Sequence, residues 1–164
     1  MTADVVPGRR WIRADVVGTA AFAVAVAIAV PARQQRWGQF LIGAVSMVLF
    51  AVGVVTALWA YVTAVERSRH EEIGTANLFL LTGRTAPRAA KRAMSALLAA
   101  QVLLALGGAI AGVVGLGEGD LNALAFGVLV PMFGLGLNGM WAARHGTFGP
   151  RLLKTDTPTQ RPIG

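Results

Sequence analysis

Residues 66–92 read ERSRHEEIGTANLFLLTGRTAPRAAKR, and they form the densest group of charges in the interior of the chain. Long apolar runs lie on both sides of this stretch. Of the 164 residues, 55% are hydrophobic and only 14% are charged, whereas a soluble domain usually has about a quarter charged residues. The apolar runs are long enough to cross a bilayer, which takes about 20 residues in a helix. The pattern predicts a small multi-span membrane protein in which residues 66–92 form the main loop in water.

Four apolar segments define the domain organisation. We predict an all-α membrane protein, a four-transmembrane-helix bundle, with spans at about 14–31, 40–65, 93–116 and 121–143. Residues 1–13 form a cytoplasmic leader, residues 66–92 an amphipathic cytoplasmic loop between helices 2 and 3, and residues 144–164 a proline-containing, disordered cytoplasmic tail. The first apolar segment also resembles a signal peptide, but its length favours an uncleaved span.

The distribution of basic residues sets the predicted orientation. Thirteen lysines and arginines lie in the leader, the 66–92 loop and the tail, and two lie in the loop between the first two spans. Because lysine and arginine are enriched on the cytoplasmic side of membranes, both termini and the 66–92 loop are predicted to be cytoplasmic, in a bacterial plasma membrane. The same topology accounts for the net charge of +7 without a nucleic-acid partner.

The side chains that carry chemistry are few. The chain has no cysteine, which excludes disulfides, thiolate metal sites and thiol redox reactions. His70 and His145 lie at the predicted cytoplasmic border, where they could form a metal site with Glu71 and Glu72, but a solvated position is the stronger interpretation. No pair of acids and no nucleophile with a base is visible. We therefore predict no enzyme, no cofactor and no metal, with His70 and the two glutamates as the remaining argument for a membrane enzyme.

Small and polar residues recur on one face of three spans, which predicts that these faces pack inside the bundle. They are Ser46, Gly53, Ala57, Ala60 and Ala64 on the second span, Gln101, Ala105, Gly108, Gly112 and Gly115 on the third, and Gly127, Pro131, Gly134 and Asn138 on the fourth. The alternative is that the stripe on the third span binds another protein. Residues 134–139, GLGLNG, match the G-x-G-x-x-G pattern, but nucleotide binding needs a preceding strand, and here the glycines lie within a span. Pro131 is expected to loosen the fourth helix near Gly127.

Polar side chains inside the spans are the candidates for an intramembrane contact. Gln101 and Asn138 are amides in apolar surroundings, and we expect them to bond to backbone or to each other, or to line a cleft that binds a ligand. Asp15 lies at the entrance of the first span, where it is expected to stay hydrated or to neutralise Arg13. With no ionisable residue near the middle of the bilayer, a proton-coupled pump is disfavoured.

Two parts of the 66–92 loop are candidates for binding. The apolar segment of Asn77, Leu78, Phe79, Leu80 and Leu81 is too short to span, so it is predicted to lie at the membrane interface or to dock on a partner. Arg84, Arg88, Lys91 and Arg92 form a basic collar that is predicted to contact anionic lipid headgroups, at roughly 1 kcal/mol each.

The loop and the segment LAFGVLVPMFGLGLNGMWAARHGTFGPR, residues 124–151, resemble small four-span actinobacterial proteins, a group of conserved transmembrane proteins of unknown function. The resemblance implies a plasma-membrane location and assigns no catalytic residue. The leading hypothesis is a non-catalytic accessory or scaffold subunit that docks another membrane or cytoplasmic protein through residues 66–92. The competing hypothesis is a small transporter or lipid-binding protein that uses a polar cleft between the third and fourth spans, around Gln101 and Asn138.

Overall fold

The computed structural model describes residues 7–114 and 122–150. In this part of the chain almost every element is helical, and the only strands are two residues long. The elements are α1 (Arg9–Ala29), α2 (Arg36–Arg67), β1 (Glu71–Glu72), α3 (Thr75–Phe79), α4 (Arg88–Val113), a 3₁₀ helix (Ala123–Leu129), α5 (Pro131–His145) and β2 (Gly149–Pro150).

Four helical segments are long and apolar enough to cross a membrane, as the sequence predicted: α1, α2, α4, and the 3₁₀ helix together with α5. The bounds differ from prediction by a few residues, because α1 begins at Arg9 and α4 at Arg88, within the flanks assigned to water. The end of the third predicted span and the start of the fourth, residues 115–116 and 121, lie outside the described residues. The mostly helical fold agrees with the predicted all-α bundle.

Helix α5 lies at the centre of the bundle, and its glycines allow three neighbours to approach closely. A Cβ added at Gly134 would lie 2.5 Å from the Gln101 amide oxygen on α4, and one at Gly139 would lie 2.7 Å from the Phe79 ring on α3. A Cβ at Gly136 would overlap the backbone of α2 at Gly53. The G-x-G-x-x-G pattern is therefore helix packing, as expected.

The stripes of small residues face inward. On α2, all five predicted residues are buried, and on α4 the predicted residues from Gln101 to Gly112 are buried. Gly115 lies outside the described residues. Because this chain itself covers the α4 stripe, the alternative in which that stripe binds another protein is wrong for its described part. Large apolar side chains point outward instead, such as Phe40 (77% exposed), Leu103 (70%) and Ile110 (70%), as expected of helices in lipid.

Pro131 changes the helix type within the fourth span. The segment before it is a 3₁₀ helix in which the Val130 N–H donates to the Gly127 carbonyl over 3.0 Å. Proline has no N–H to continue a hydrogen-bond ladder but fits the first turn of a helix, and α5 begins at Pro131.

The 66–92 loop and the start of the tail fold together at one end of the bundle, which we call the loop end. Strands β1 and β2 pair antiparallel, with Glu71 opposite Pro150. The Arg67 guanidinium donates to Glu71 (2.7 Å) and to the carbonyls of Ala143 (2.9 Å) and Gly146 (3.1 Å). The tail that was predicted to be disordered from residue 144 therefore has a structured first part up to residue 150. The rest, residues 151–164, lies outside the described residues.

Candidate functional site

A buried polar cluster joins α1, α4 and α5. The Gln101 amide nitrogen donates to Asp15 Oδ1 over 2.9 Å and to Thr19 Oγ1 over 2.8 Å. The Gln101 amide oxygen accepts from the Gly134 backbone N–H over 3.2 Å. Asp15 and Gln101 have no exposed surface, and Thr19 is 7% exposed. One glutamine side chain thus bonds to two other helices.

Gln101 accepts a backbone hydrogen bond near the start of α5. The Val130 carbonyl, four residues before Gly134, accepts from the Phe133 N–H over 2.8 Å, and the Gly134 N–H donates to Gln101 Oε1. Glycine is needed there because a Cβ would occupy the space of the amide oxygen. Gln101 therefore joins α4 to the backbone of α5 near its start.

The burial of Asp15 corrects the expectation that it stays hydrated at the entrance of the first span. Its side chain is fully buried, and Oδ2 has no hydrogen-bond partner among the described residues. Asp15 lies six residues after the start of α1, so its burial does not place it near the middle of the span, and the expectation that disfavours a proton-coupled pump stays a prediction. The sequence held a signal for this position: Asp15 and Thr19 lie four residues apart, on the same face as the buried Phe22 and Ala29.

Gln101 and Asn138 do not bond to each other. Asn138 bonds to the loop: its side-chain nitrogen donates to the Phe79 carbonyl over 3.1 Å. Both side chains are buried, at 0% and 1% exposed. Asn138 Oδ1 has no partner among the described residues. The structure thus places the two amides in two separate polar contacts.

The apolar segment of the loop folds back onto the bundle as α3. Leu78 and Leu81 are buried, at 3% and 0% exposed, in a cluster with Met140 and Trp141 of α5. Leu81 has a left-handed backbone (φ 53°), uncommon for leucine, where α3 ends. These two leucines are therefore covered by this chain rather than offered to a partner.

The depth of α3 follows from its neighbours. The site of a Cβ on Gly139 would be close to both the Phe79 ring and Ala60, and Ala60 lies seven residues before the end of α2 at Arg67. At 1.5 Å of rise per residue, Phe79 is about 10 Å below the loop end of α2. The segment thus packs beside the apolar part of α2 rather than beyond its end.

A groove of about 450 Å³ remains open beside α3. It is lined by Thr75, Ala76, Phe79, Leu80, Met132 and Leu135. Leu80 is 48% exposed, and Asn77 is half-buried. The outward side of α3, rather than the whole Asn77–Leu81 segment, is the surface left free for a ligand or partner.

The predicted basic collar lies where α4 begins. Arg84, Arg88 and Arg92 are exposed and Lys91 is half-buried. Among the described residues, none of their side chains forms an ion pair, since the one salt bridge there joins Arg67 to Glu71. These cations are available to anionic groups.

Two contacts at the loop end were not anticipated from the sequence. Trp141 is fully buried, and its ring N–H donates to the Pro7 carbonyl over 2.9 Å. The Arg10 and Arg144 guanidinium groups lie 5.0 and 5.7 Å from the Trp11 ring. A tryptophan near a span end usually indicates an interfacial anchor, so the sequence signal was ambiguous.

The histidines do not assemble a metal centre with acids in the described part of the chain, which holds no group of three such residues. His70 is exposed, and Glu71 is paired with Arg67. His145 packs beside Trp141, with ring centroids 5.9 Å apart.

Comparisons with protein-family models, curated proteins and solved structures found no match. The fold defines a class, a helical chain with four segments able to span a membrane and a loop folded on their end.

Proposed function

We propose that this chain is a non-catalytic accessory subunit in a bacterial plasma membrane, with both termini and residues 66–92 in the cytoplasm. It binds a partner membrane protein through the outward side of α3 and the adjoining groove. The observation that carries this proposal is the contrast among the leucines at the end of α3 and directly after it. Leu78 and Leu81 are buried anchors, whereas Leu80 between them is half exposed beside an open apolar groove.

The surface is preformed. Asn138 holds the Phe79 carbonyl, and the two buried leucines fix α3 on α5. A surface that is already ordered does not lose further conformational entropy when a partner binds, which favours affinity.

The groove also indicates the chemistry of the partner. Its walls are mostly apolar, from Phe79, Leu80, Met132 and Leu135, and α3 packs beside the apolar part of α2. The matching partner is a transmembrane or interfacial helix that inserts an apolar side chain beside Leu80.

The test is co-purification of the full chain in mild detergent, with mass spectrometry of the proteins recovered. We expect a stoichiometric membrane protein, and about tenfold less of it with Leu80→Ala, because truncating a buried leucine removes about 1.5 kcal/mol or more of apolar contact. Leu103→Ala is the matched control, since Leu103 is exposed on α4 away from the groove. Equal losses with both variants would refute docking at α3.

The second candidate function is a small transporter or a lipid-binding protein. Lipid binding is favoured by the apolar groove, which has the size to hold part of an acyl chain. Transport is favoured by the buried Asp15, the kind of intramembrane acid that transporters use. A monomer that retains lipid in the groove, displaced by Leu135→Trp, would support the lipid function over the accessory function.

A further inference from the structure

A second cleft, of about 250 Å³, lies between α1 and α4 at the loop end. It is lined by Arg9, Ile12 and Arg13 on α1 and by Ala89, Ala90 and Ala93 on α4. The α4 wall consists of alanines only, so it has no side chain beyond Cβ to fill the space. The polar side chains in the lining are the two arginines, and no acid is among them.

The next feature is the state of the two arginines among the described residues. In residues 7–114 and 122–150, neither Arg9 nor Arg13 takes part in an ion pair or a side-chain hydrogen bond. Two other arginines at this end are engaged within the chain, since Arg67 is paired with Glu71 and Arg10 lies over the Trp11 ring. Two guanidinium groups that have no partner among the described residues, four residues apart on one helix face, therefore border an open cleft.

The backbone adds positive potential at the same place. Both helices start at this end, and neither N-cap residue, Gly8 or Pro87, supplies a side-chain hydrogen bond. Neither helix has an acidic residue in its first turn. The unpaired N–H groups of a helix start carry a partial positive charge, which here adds to that of the arginines.

Next to the cations is an apolar path. Ile12 lines the cleft, and Val16, one turn further along the same face, is 48% exposed. Arg13 therefore marks the boundary between a cationic region and an apolar surface. This arrangement matches a phospholipid, in which an anionic phosphate group is followed by apolar acyl chains.

We propose that this cleft binds the phosphate group of an anionic phospholipid, with Arg9 and Arg13 donating to the phosphate oxygens. The acyl chain follows Ile12 and Val16. This site is separate from the groove beside α3, and it does not depend on the proposed accessory function. Its α4 wall adjoins Arg88, Lys91 and Arg92 of the basic collar, which do not line the cleft.

The experiment titrates the full chain, purified in a neutral detergent, with phosphatidylglycerol and counts bound lipids by native mass spectrometry. Arg9→Gln and Arg13→Gln should each weaken binding about fivefold, which corresponds to about 1 kcal/mol per basic residue. Ala89→Leu, which fills the cleft without changing the charge, should weaken it at least as much. Arg69→Gln, an equal loss of charge at an exposed position on the loop end, should change binding less than twofold.

The outcomes distinguish lipid binding in this cleft from nonspecific electrostatic attraction and from binding of a soluble phosphate. An effect of Arg69→Gln equal to that of Arg13→Gln, or normal binding by Ala89→Leu, would overturn the cleft as the site. A second titration adds inorganic phosphate at fixed lipid concentration, and we expect no displacement below the millimolar range. Displacement by micromolar phosphate that requires Arg13 would assign the same chemistry to a soluble phosphate and overturn the lipid as its source.

Discussion

Replacing Gln101 by leucine tests the buried polar cluster most directly. The substitution keeps the approximate volume of the side chain but removes the hydrogen bonds to Asp15, Thr19 and Gly134. Hydrogen bonds between membrane helices contribute about 0.6 kcal/mol on average and up to about 1.7 kcal/mol. Three of them give an expected loss of about 2 to 5 kcal/mol in the free energy of unfolding.

The assay is reversible unfolding in mixed detergent micelles, followed by tryptophan fluorescence. Gln34→Leu is the matched control, because Gln34 is exposed, and its replacement should change stability by less than about 0.5 kcal/mol. Adding Asp15→Leu to the Gln101→Leu variant should restore at least about 1 kcal/mol, since it removes a buried carboxyl group left without a partner.

Two results would contradict this reasoning. A loss below about 0.5 kcal/mol for Gln101→Leu would mean that the three hydrogen bonds do not stabilise the bundle. Additive effects in the Asp15→Leu and Gln101→Leu double-mutant cycle would mean that the two side chains are not in contact.

Packing around α3 and the topology give three further predictions. Gly139→Val should lower the free energy of unfolding by about 1–3 kcal/mol, because the added side chain displaces the Phe79 ring. The control is Gly107→Val, where an added Cβ meets nothing within 4 Å, and it should cost less than about 1 kcal/mol. Equal effects of the two substitutions would refute the contact between Gly139 and Phe79. Leu78→Ala should cost about 2–5 kcal/mol as a buried truncation, and a loss below about 1 kcal/mol would show that α3 is not anchored there. Reporter fusions after positions 35, 85 and 164 should read outside, inside and inside, and an outside signal at 85 would overturn the orientation.

The helical class and the inward faces could be read from the sequence because both depend on local pattern. A run of about 20 apolar residues has few alternatives to a spanning helix, since lipid offers no partner to the backbone. The stripe from Ser46 to Ala64 follows from the 3.6-residue period alone. The position of the G-x-G-x-x-G segment inside an apolar span likewise indicates helix packing rather than nucleotide binding.

The partners of individual polar side chains could not be read in the same way. Gln101 and Asn138 were grouped because both are amides in apolar helices, yet one bonds to α1 and α5 and the other to the loop. Asp15 is close in sequence to Arg13, which made a hydrated position reasonable. Only the packing of three helices puts it beside Gln101, 86 residues away.

Residues 66–92 show which features follow from the sequence and which follow only from the tertiary structure. Their charges by themselves marked a loop between two spans, because charged side chains are costly in hydrocarbon. The tertiary structure decided that the apolar segment folds back onto α5, with Leu78 and Leu81 inside and Leu80 outside. A five-residue helix is too short for the helical period to define a buried face. The orientation of α3 is set instead by α5, some 60 residues later, where Gly139 leaves space for the Phe79 ring and Asn138 donates to the Phe79 carbonyl.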